Sequence, residues 1–180
     1  MTLAYDRLDT AGAAAIAEEL VALYSVEYAG NGRPFNAPEN FRRWLARDLT
    51  RRGYALVTAR LGADLAGFAY GYPLPRDTGW WVGSLTPLPT ELTRETGDRT
   101  LAVGELIVRP DLRGQGIASR LHADLIRGRP ERRGVLLVYP DNTVAKVVYE
   151  SWGWRRVGQI RPSERAPVFD AYLLEPLGGR

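Results

Sequence analysis

Hydrophobic positions along the chain follow a helical period in some stretches and a strand-like period in others. In residues 10–28, Ile16, Leu20, Leu23 and Val26 recur every three to four positions, which predicts an amphipathic helix. Residues 31–34 break that pattern. Pro38 then stands where a helix can begin, and Phe41, Trp44, Leu45 and Leu49 form a second helical stripe that runs to Gly53. Residues 54–61 and 65–72 are rich in β-formers and are separated by Gly62-Ala63-Asp64, a hairpin signal. Residues 73–98 are irregular, with prolines, glycines and threonines around Trp80-Trp81. A strand is predicted over 100–109. A helix follows over 116–127, with Ile117, Leu121 and Leu125 on one face and Gly128 and Pro130 at its end. An apolar strand at 134–138 precedes Asn142, which suits the N-cap of a helix over 143–152 closed by Gly153. Strands over 154–160 and 168–174 complete the series, and residues 1–7 are compatible with an initial strand. The order α-α-β-β-β-α-β-α-β-β predicts a mixed α/β fold. Strand, crossover helix and strand in series require parallel neighbours in part of the sheet.

Length and composition fit one domain spanning 1–180, with 74–100 as a long loop or insertion. The 180 residues are 45% hydrophobic, enough for a full core. No run of about 18 apolar residues exists, so no membrane helix is expected. The start MTLAYDRLDT lacks the basic and apolar regions of a secretion signal, which predicts a cytoplasmic protein. With no cysteine, disulfides, thiolate metal sites and a cysteine nucleophile are excluded. The single histidine, His122, does not supply a histidine-rich metal site, so no metal is expected. Net charge is +3, and the cations are nearly all arginine, with Lys146 the sole lysine. The arginines are scattered in pairs rather than massed in a block, which suits solvated faces and a phosphorylated small ligand better than a nucleic-acid arm.

The richest stretch is ELIVRPDLRGQGIAS, from Glu105 to Ser119. A strand meets Pro110, then a turn carrying Gly114 and Gly116, then the helix that begins at Ile117. Glycines let backbone N–H groups approach a ligand closely, and a helix N-terminus adds partial positive charge, so the turn is a candidate anion site. It is not a Walker loop, which needs Gly-x-x-x-x-Gly-Lys-Ser/Thr. Nor does it complete a dinucleotide fingerprint: Ser119 stands at the third glycine, and the turn lies past mid-chain. A plain strand-to-helix turn is the competing reading of the glycine pair alone.

A second segment, YPDNTVAKVVYESWGW from Tyr139 to Trp154, accompanies the first. Together they resemble the GNAT acetyltransferase superfamily. Arg113, Gly116 and Ala118 fill its Gln/Arg-x-x-Gly-x-Gly/Ala signature, and Asn142, Ala145, Tyr149, Gly153 and Trp154 follow in the order of its next segment. The two motifs cover roughly the second half of the chain. The resemblance implies a central mixed sheet, splayed between two strands and flanked by helices, and acetyl-CoA as acyl donor. It implies that backbone groups at Ile107 and Val108 pair with the pantetheine arm. Amides of Arg113, Gly114, Gln115, Gly116, Ile117 and Ala118 would hold the pyrophosphate, with the Ser119 hydroxyl. Asn142 would bond the pantetheine, Ala145 would lie on the same helix face, and Tyr149 would sit near the sulfur.

Transfer to an amine needs two proton movements, and two residues are candidates for them. Tyr149, which shares a helix face with Ala145 and Trp152, is the candidate acid towards the leaving thiolate; a core tyrosine is the alternative. Glu105 interrupts the apolar run Leu-Ala-Val-Gly-Glu-Leu-Ile-Val. A desolvated carboxylate there is a better base, directly or through an ordered water; a strand residue paired with arginine is the alternative. His122 reads as a structural histidine. For the acceptor, a small-molecule or peptide amine, candidate contacts are Tyr24, Tyr28 and Phe35 from the early helices and Trp80 and Trp81 from the long loop, with Glu91 and Glu95 as attractors of a cation. Aromatic side chains on the surface would also suit a homodimer. The alternatives are an acyl-CoA-sensing domain without turnover and, more remotely, a nucleic-acid-binding domain. No nucleic-acid or membrane partner is expected.

Overall fold

The computed structural model describes residues 2–177. Seven strands form one mixed sheet in the order β1-β2-β3-β4-β5-β7-β6, flanked by helices, as the sequence predicts. The strands are β1 (Leu3–Leu8), β2 (Ala55–Leu61), β3 (Asp64–Pro73), β4 (Thr100–Val108), β5 (Arg133–Val138), β6 (Arg155–Ile160) and β7 (Phe169–Leu174). The helices are α1 (Thr10–Ala15), α2 (Ala17–Tyr28), α3 (Pro38–Asp48), α4 (Thr90–Thr93), α5 (Ile117–Ile126) and α6 (Thr143–Ser151). β1–β2 and β2–β3 are antiparallel, β4 runs parallel to β5 from Thr100↔Arg133 to Ala102↔Val135, and β5–β7 and β6–β7 are antiparallel.

Three elements differ from the sequence pattern. The helix expected over 10–28 is two helices, because Ile16 leaves helical geometry at φ −112°. The apolar spacing carries across since the ladder restarts there, Leu20 N donating to Ile16 O at 3.1 Å. The faint initial strand is real: β1 pairs along β2 with half-buried and exposed residues, as a sheet edge does, so Asp6 and Arg7 dilute its signal. Met1, where the expected segment begins, lies outside the described residues. α4 is a single turn after Pro89, too short to show a period.

Over the described residues, contacts gather into two compact units, one within Met1–Tyr72 and Val103–Arg127, the other within Pro73–Ala102 and Gly128–Arg180. In the first, Leu20, Tyr24, Phe41, Leu56, Phe68 and Leu121 are among the buried side chains, and Tyr24 stacks on Phe41 at 4.1 Å. Gly67 permits close strand packing there: a Cβ would lie 2.8 Å from the Ile107 carbonyl. In the second, the long loop is tied down by a buried ion pair. Arg133 donates to Glu95 Oε1 at 2.9 Å, to Thr100 Oγ1 at 2.8 Å and to the Leu92 carbonyl, while Trp81 Nε1 donates to the same Glu95 oxygen at 3.0 Å. Such a pair costs desolvation, which the hydrogen bonds on the Arg133 guanidinium and on Glu95 Oε1 offset, while the buried Glu95 Oε2 has no hydrogen-bond partner among the described residues. The loop also meets the edge strand β6, Leu85 N donating to Gln159 O at 2.8 Å and Arg161 N to Gly83 O at 3.0 Å.

Candidate functional site

In the first unit, β4 ends at Val108 and a single 3-10 turn, Pro110–Leu112, leads into the glycines. Gly114 and Gly116 both take left-handed backbone, at φ 76° and 78°, which explains why glycine stands at each. Gly116 is the N-cap of α5 and contributes no side-chain cap. The N-cap side chain therefore satisfies none of the first N–H groups of α5, which can take an external acceptor. Residues 113–116 are exposed, Ile117 is buried beneath them and Ser119 lies exposed in the first turn. Among the described residues, beyond the chain neighbours, a Cβ at Gly114 or Gly116 would meet nothing within 4 Å, so open space lies over the turn. The donor set fits the pyrophosphate of an acyl-CoA: uncapped amides, a helix N-terminus and the Ser119 hydroxyl.

Glu105 lies on β4, upstream of that turn. It is half-buried, and desolvation pushes its carboxyl up to about 8. A hydrogen bond from Tyr28 Oη to Oε2, long at 3.5 Å, favours the charged form, while Glu27 and Asp48 disfavour it. The sequence offered an arginine partner as the alternative for Glu105, but these neighbours are a tyrosine and two carboxylates. Its preceding residue, Gly104, admits the Tyr70 ring, into which a Cβ would run. Tyr70 Oη in turn donates to Asp48 Oδ2 at 3.4 Å. Burial and the nearby Asp48 hold the Tyr70 phenol well above its usual range.

Asp48 and Glu27 escaped sequence reasoning. Asp48 is buried at the end of α3 and accepts from Arg47 Nε at 3.0 Å and Arg51 Nε at 3.1 Å. Its one legible signal was arginine at the preceding position and three residues on. Glu27 takes the Arg113 guanidinium, a contact between residues 86 apart that no local pattern reveals.

In the second unit, Asn142 caps α6, Oδ1 accepting from Ala145 N at 3.1 Å. Tyr149 is half-buried and lies edge-on to Trp152 and Trp154, with ring centroids at 5.8 and 6.0 Å. Ala145 on the same helix and Trp152 at its C-cap are half-buried, whereas Val144 and Val147 are exposed. The acceptor candidates fall in varied surroundings. Tyr24 is in the core, Tyr28 touches Glu105, and Phe35 packs on Trp44 at 4.8 Å. Trp80 is half-buried, Trp81 is buried against Glu95, and Glu91 is exposed beside Arg94. Glu95 is not a free attractor of cations, since Arg133 neutralises it in the interior.

His122 is buried on α5, and desolvation lowers it to about 4. The unfolded chain then binds more protons than the fold between pH about 4 and the usual 6.5, so this contribution is complete above 6.5 and is lost as pH falls towards 4. The loss should reach roughly 3 kcal/mol at most. Denaturant unfolding should therefore show the parent losing stability relative to His122→Leu as pH falls from 7 to 4; a constant difference between the two would contradict this assignment. Among the described residues, no cluster of three or more His, Cys, Asp or Glu could hold a metal ion, and no helix is long and apolar enough to cross a membrane.

The sequence pattern of the Acetyltransferase (GNAT) family matches residues 17–154. No curated protein sequence matches the chain. Among solved structures, PH1933 from Pyrococcus horikoshii OT3 is similar with a TM-score of 0.68 at 17% identity, covering 97% of this chain and 98% of that one. The ribosomal-protein-S18-alanine N-acetyltransferase from Escherichia coli gives 0.60 at 18% identity, over 99% and 97%. The PaiA N-acetyltransferase from Thermoplasma acidophilum, in complex with coenzyme A, gives 0.60 at 13% identity, over 97% and 99%. At these identities the structural likeness speaks for the fold, while the sequence match extends from α2 to the residue after Gly153 and takes in both motifs: the chain belongs to the GNAT acetyltransferase family.

Proposed function

We propose that the protein is an acyl-CoA-dependent N-acyltransferase that moves acetyl from acetyl-CoA to a primary amine by direct attack in a ternary complex. The observation that carries this reading is Glu105, a half-buried carboxyl that desolvation raises to about 8, in the same unit as the open glycine turn. A base poised near working pH is what amine attack requires. Glu105 takes the proton that the amine nitrogen sheds as the new N–C bond forms, directly or through one water. The amides from Arg113 to Ala118 hold the donor pyrophosphate. The family resemblance supports Ile107, Val108, Asn142 and Ala145 as contacts to the pantetheine arm.

Tyr149 returns a proton to the departing thiolate. Its phenol has a reference value of about 10 against about 8.5 for a thiol, so the transfer depends on placement. Tyr149→Phe keeps the ring and deletes the proton, so kcat should fall on the order of 100-fold with the KM for acetyl-CoA little changed. Unaltered kcat would remove the acid role.

The acceptor is a small-molecule or peptide amine; the S18 alanine enzyme and the PaiA protein, both N-acetyltransferases by name, support the amine class. Tyr28 donates to Glu105, and it and Phe35 are the acceptor-side residues of choice. Cytoplasmic location and a homodimer accompany this reading. A screen of amines for thiol release from acetyl-CoA tests it: release with at least one class supports it, and donor binding without release from any would point instead to a donor-sensing domain.

A further inference from the structure

Two consecutive residues at the end of α2 hold parts of the proposed site that come from elsewhere in the chain. Glu27 takes the guanidinium of Arg113, whose Nε also donates to the Val108 carbonyl at 3.4 Å. Arg113 directly precedes Gly114-Gln115-Gly116, so this contact fixes the entry to the glycine turn. Tyr28, the next residue, donates to Glu105 and packs 4.4 Å from Tyr24, itself stacked on Phe41. The helix end is thus anchored in the core on one side and touches both the entry to the turn and the half-buried Glu105 carboxyl on the other.

Resting on the acyltransferase reading above, we propose that Glu27 is a positioning residue: through Arg113 it moors the glycine turn to α2, and its charge acts on Glu105. The groups that bear on Glu105 are Tyr28 and Glu27 from α2, Asp48 from α3 and Tyr70 from β3. The Tyr28 hydrogen bond favours the ionised carboxylate, whereas Glu27 and Asp48 disfavour it. Asp48 is buried and committed to Arg47, Arg51 and Tyr70. Glu27 is more accessible, and its partner Arg113 has a side chain 52% exposed. An ion pair so wet contributes little to folding. Its loss should therefore be read in donor affinity and in the pH dependence of turnover, not in stability.

Two conservative variants of the full chain separate the two effects. Glu27→Gln keeps the length and removes the charge, so the rise of kcat/KM with pH should move to lower pH. Glu27→Asp keeps the charge but withdraws the carboxylate by one methylene, so the rise should stay in place while the Kd for acetyl-CoA increases about two- to fivefold. A partly misfolded preparation changes the height of a pH profile and leaves its midpoint alone, so the midpoint is the decisive readout. If the midpoint is fixed in Glu27→Gln and the Kd is fixed in Glu27→Asp, the proposal is overturned and the acyltransferase reading stands. Either value failing alone removes the corresponding half. No binding of acetyl-CoA by the parent protein overturns both.

Discussion

Glu105→Gln should lose roughly 100-fold or more in kcat/KM and become more stable at neutral pH, both from one substitution. The parent enzyme's kcat/KM should rise with pH through about 8, where the carboxyl ionises, and the variant should lack that rise. The stability effect follows from linkage. Glu105 has a folded value near 8 against the usual 4.5, so the native protein holds a proton that the unfolded chain releases. Native stability therefore falls as pH climbs from about 4.5 to 8. A glutamine is neutral in both states and escapes this loss. Half-buried position tempers the size, and a gain of a few kcal/mol at pH 8, absent near pH 4, is the expected scale. Thermal unfolding of both proteins across that range checks it. A variant that retains the parent's pH–rate profile takes Glu105 out of the mechanism, whatever its stability.

Gly116→Val should abolish acetyl-CoA binding while the protein stays folded. The residue sits at φ 78°, where a β-branched side chain is excluded, so the turn has to change shape to accept valine. Among the described residues, beyond the chain neighbours, nothing stands within 4 Å of a Cβ at that position, so no core contact is broken. The damage is confined to the amides that would face the pyrophosphate. Gly116→Ala carries the same left-handed strain without branching, at a cost of roughly 1–2 kcal/mol, and should weaken binding less. Circular dichroism like that of the parent, with no heat on titration, is the expected pair of results for the valine variant. Unchanged affinity would separate the glycine turn from the donor.

Much of this was legible in the sequence because it is local. Glycine at two left-handed positions, an Asn142 cap and a helix closed by Gly153 are decided by backbone geometry within a few residues, and the structure has each where the sequence put it. The character of Glu105 was half legible. A carboxylate inside an apolar strand must be partly desolvated, but its neighbours Tyr28, Glu27 and Asp48 come from two distant helices. Sequence could offer an arginine partner only as an equal alternative, because long-range pairing leaves no periodic trace. The same limit misplaced Glu95. Its carboxylate looked like an exposed attractor in an irregular loop, yet it meets Arg133 across 38 residues and is buried. The split at Ile16 was invisible because hydrophobic spacing records which face is covered, and the turn there keeps that spacing. In α6 the half-buried residues include Ala145 and Tyr149, the face that the spacing marks, while Val144 and Val147 stand in solvent.

Calorimetric titration of the purified protein with acetyl-CoA tests the central claim most directly. Saturable binding close to one acetyl-CoA per chain, lost in Gly116→Val, is the predicted result. A folded protein that takes up no acetyl-CoA would contradict it, and the glycine turn would then be only the junction between β4 and α5.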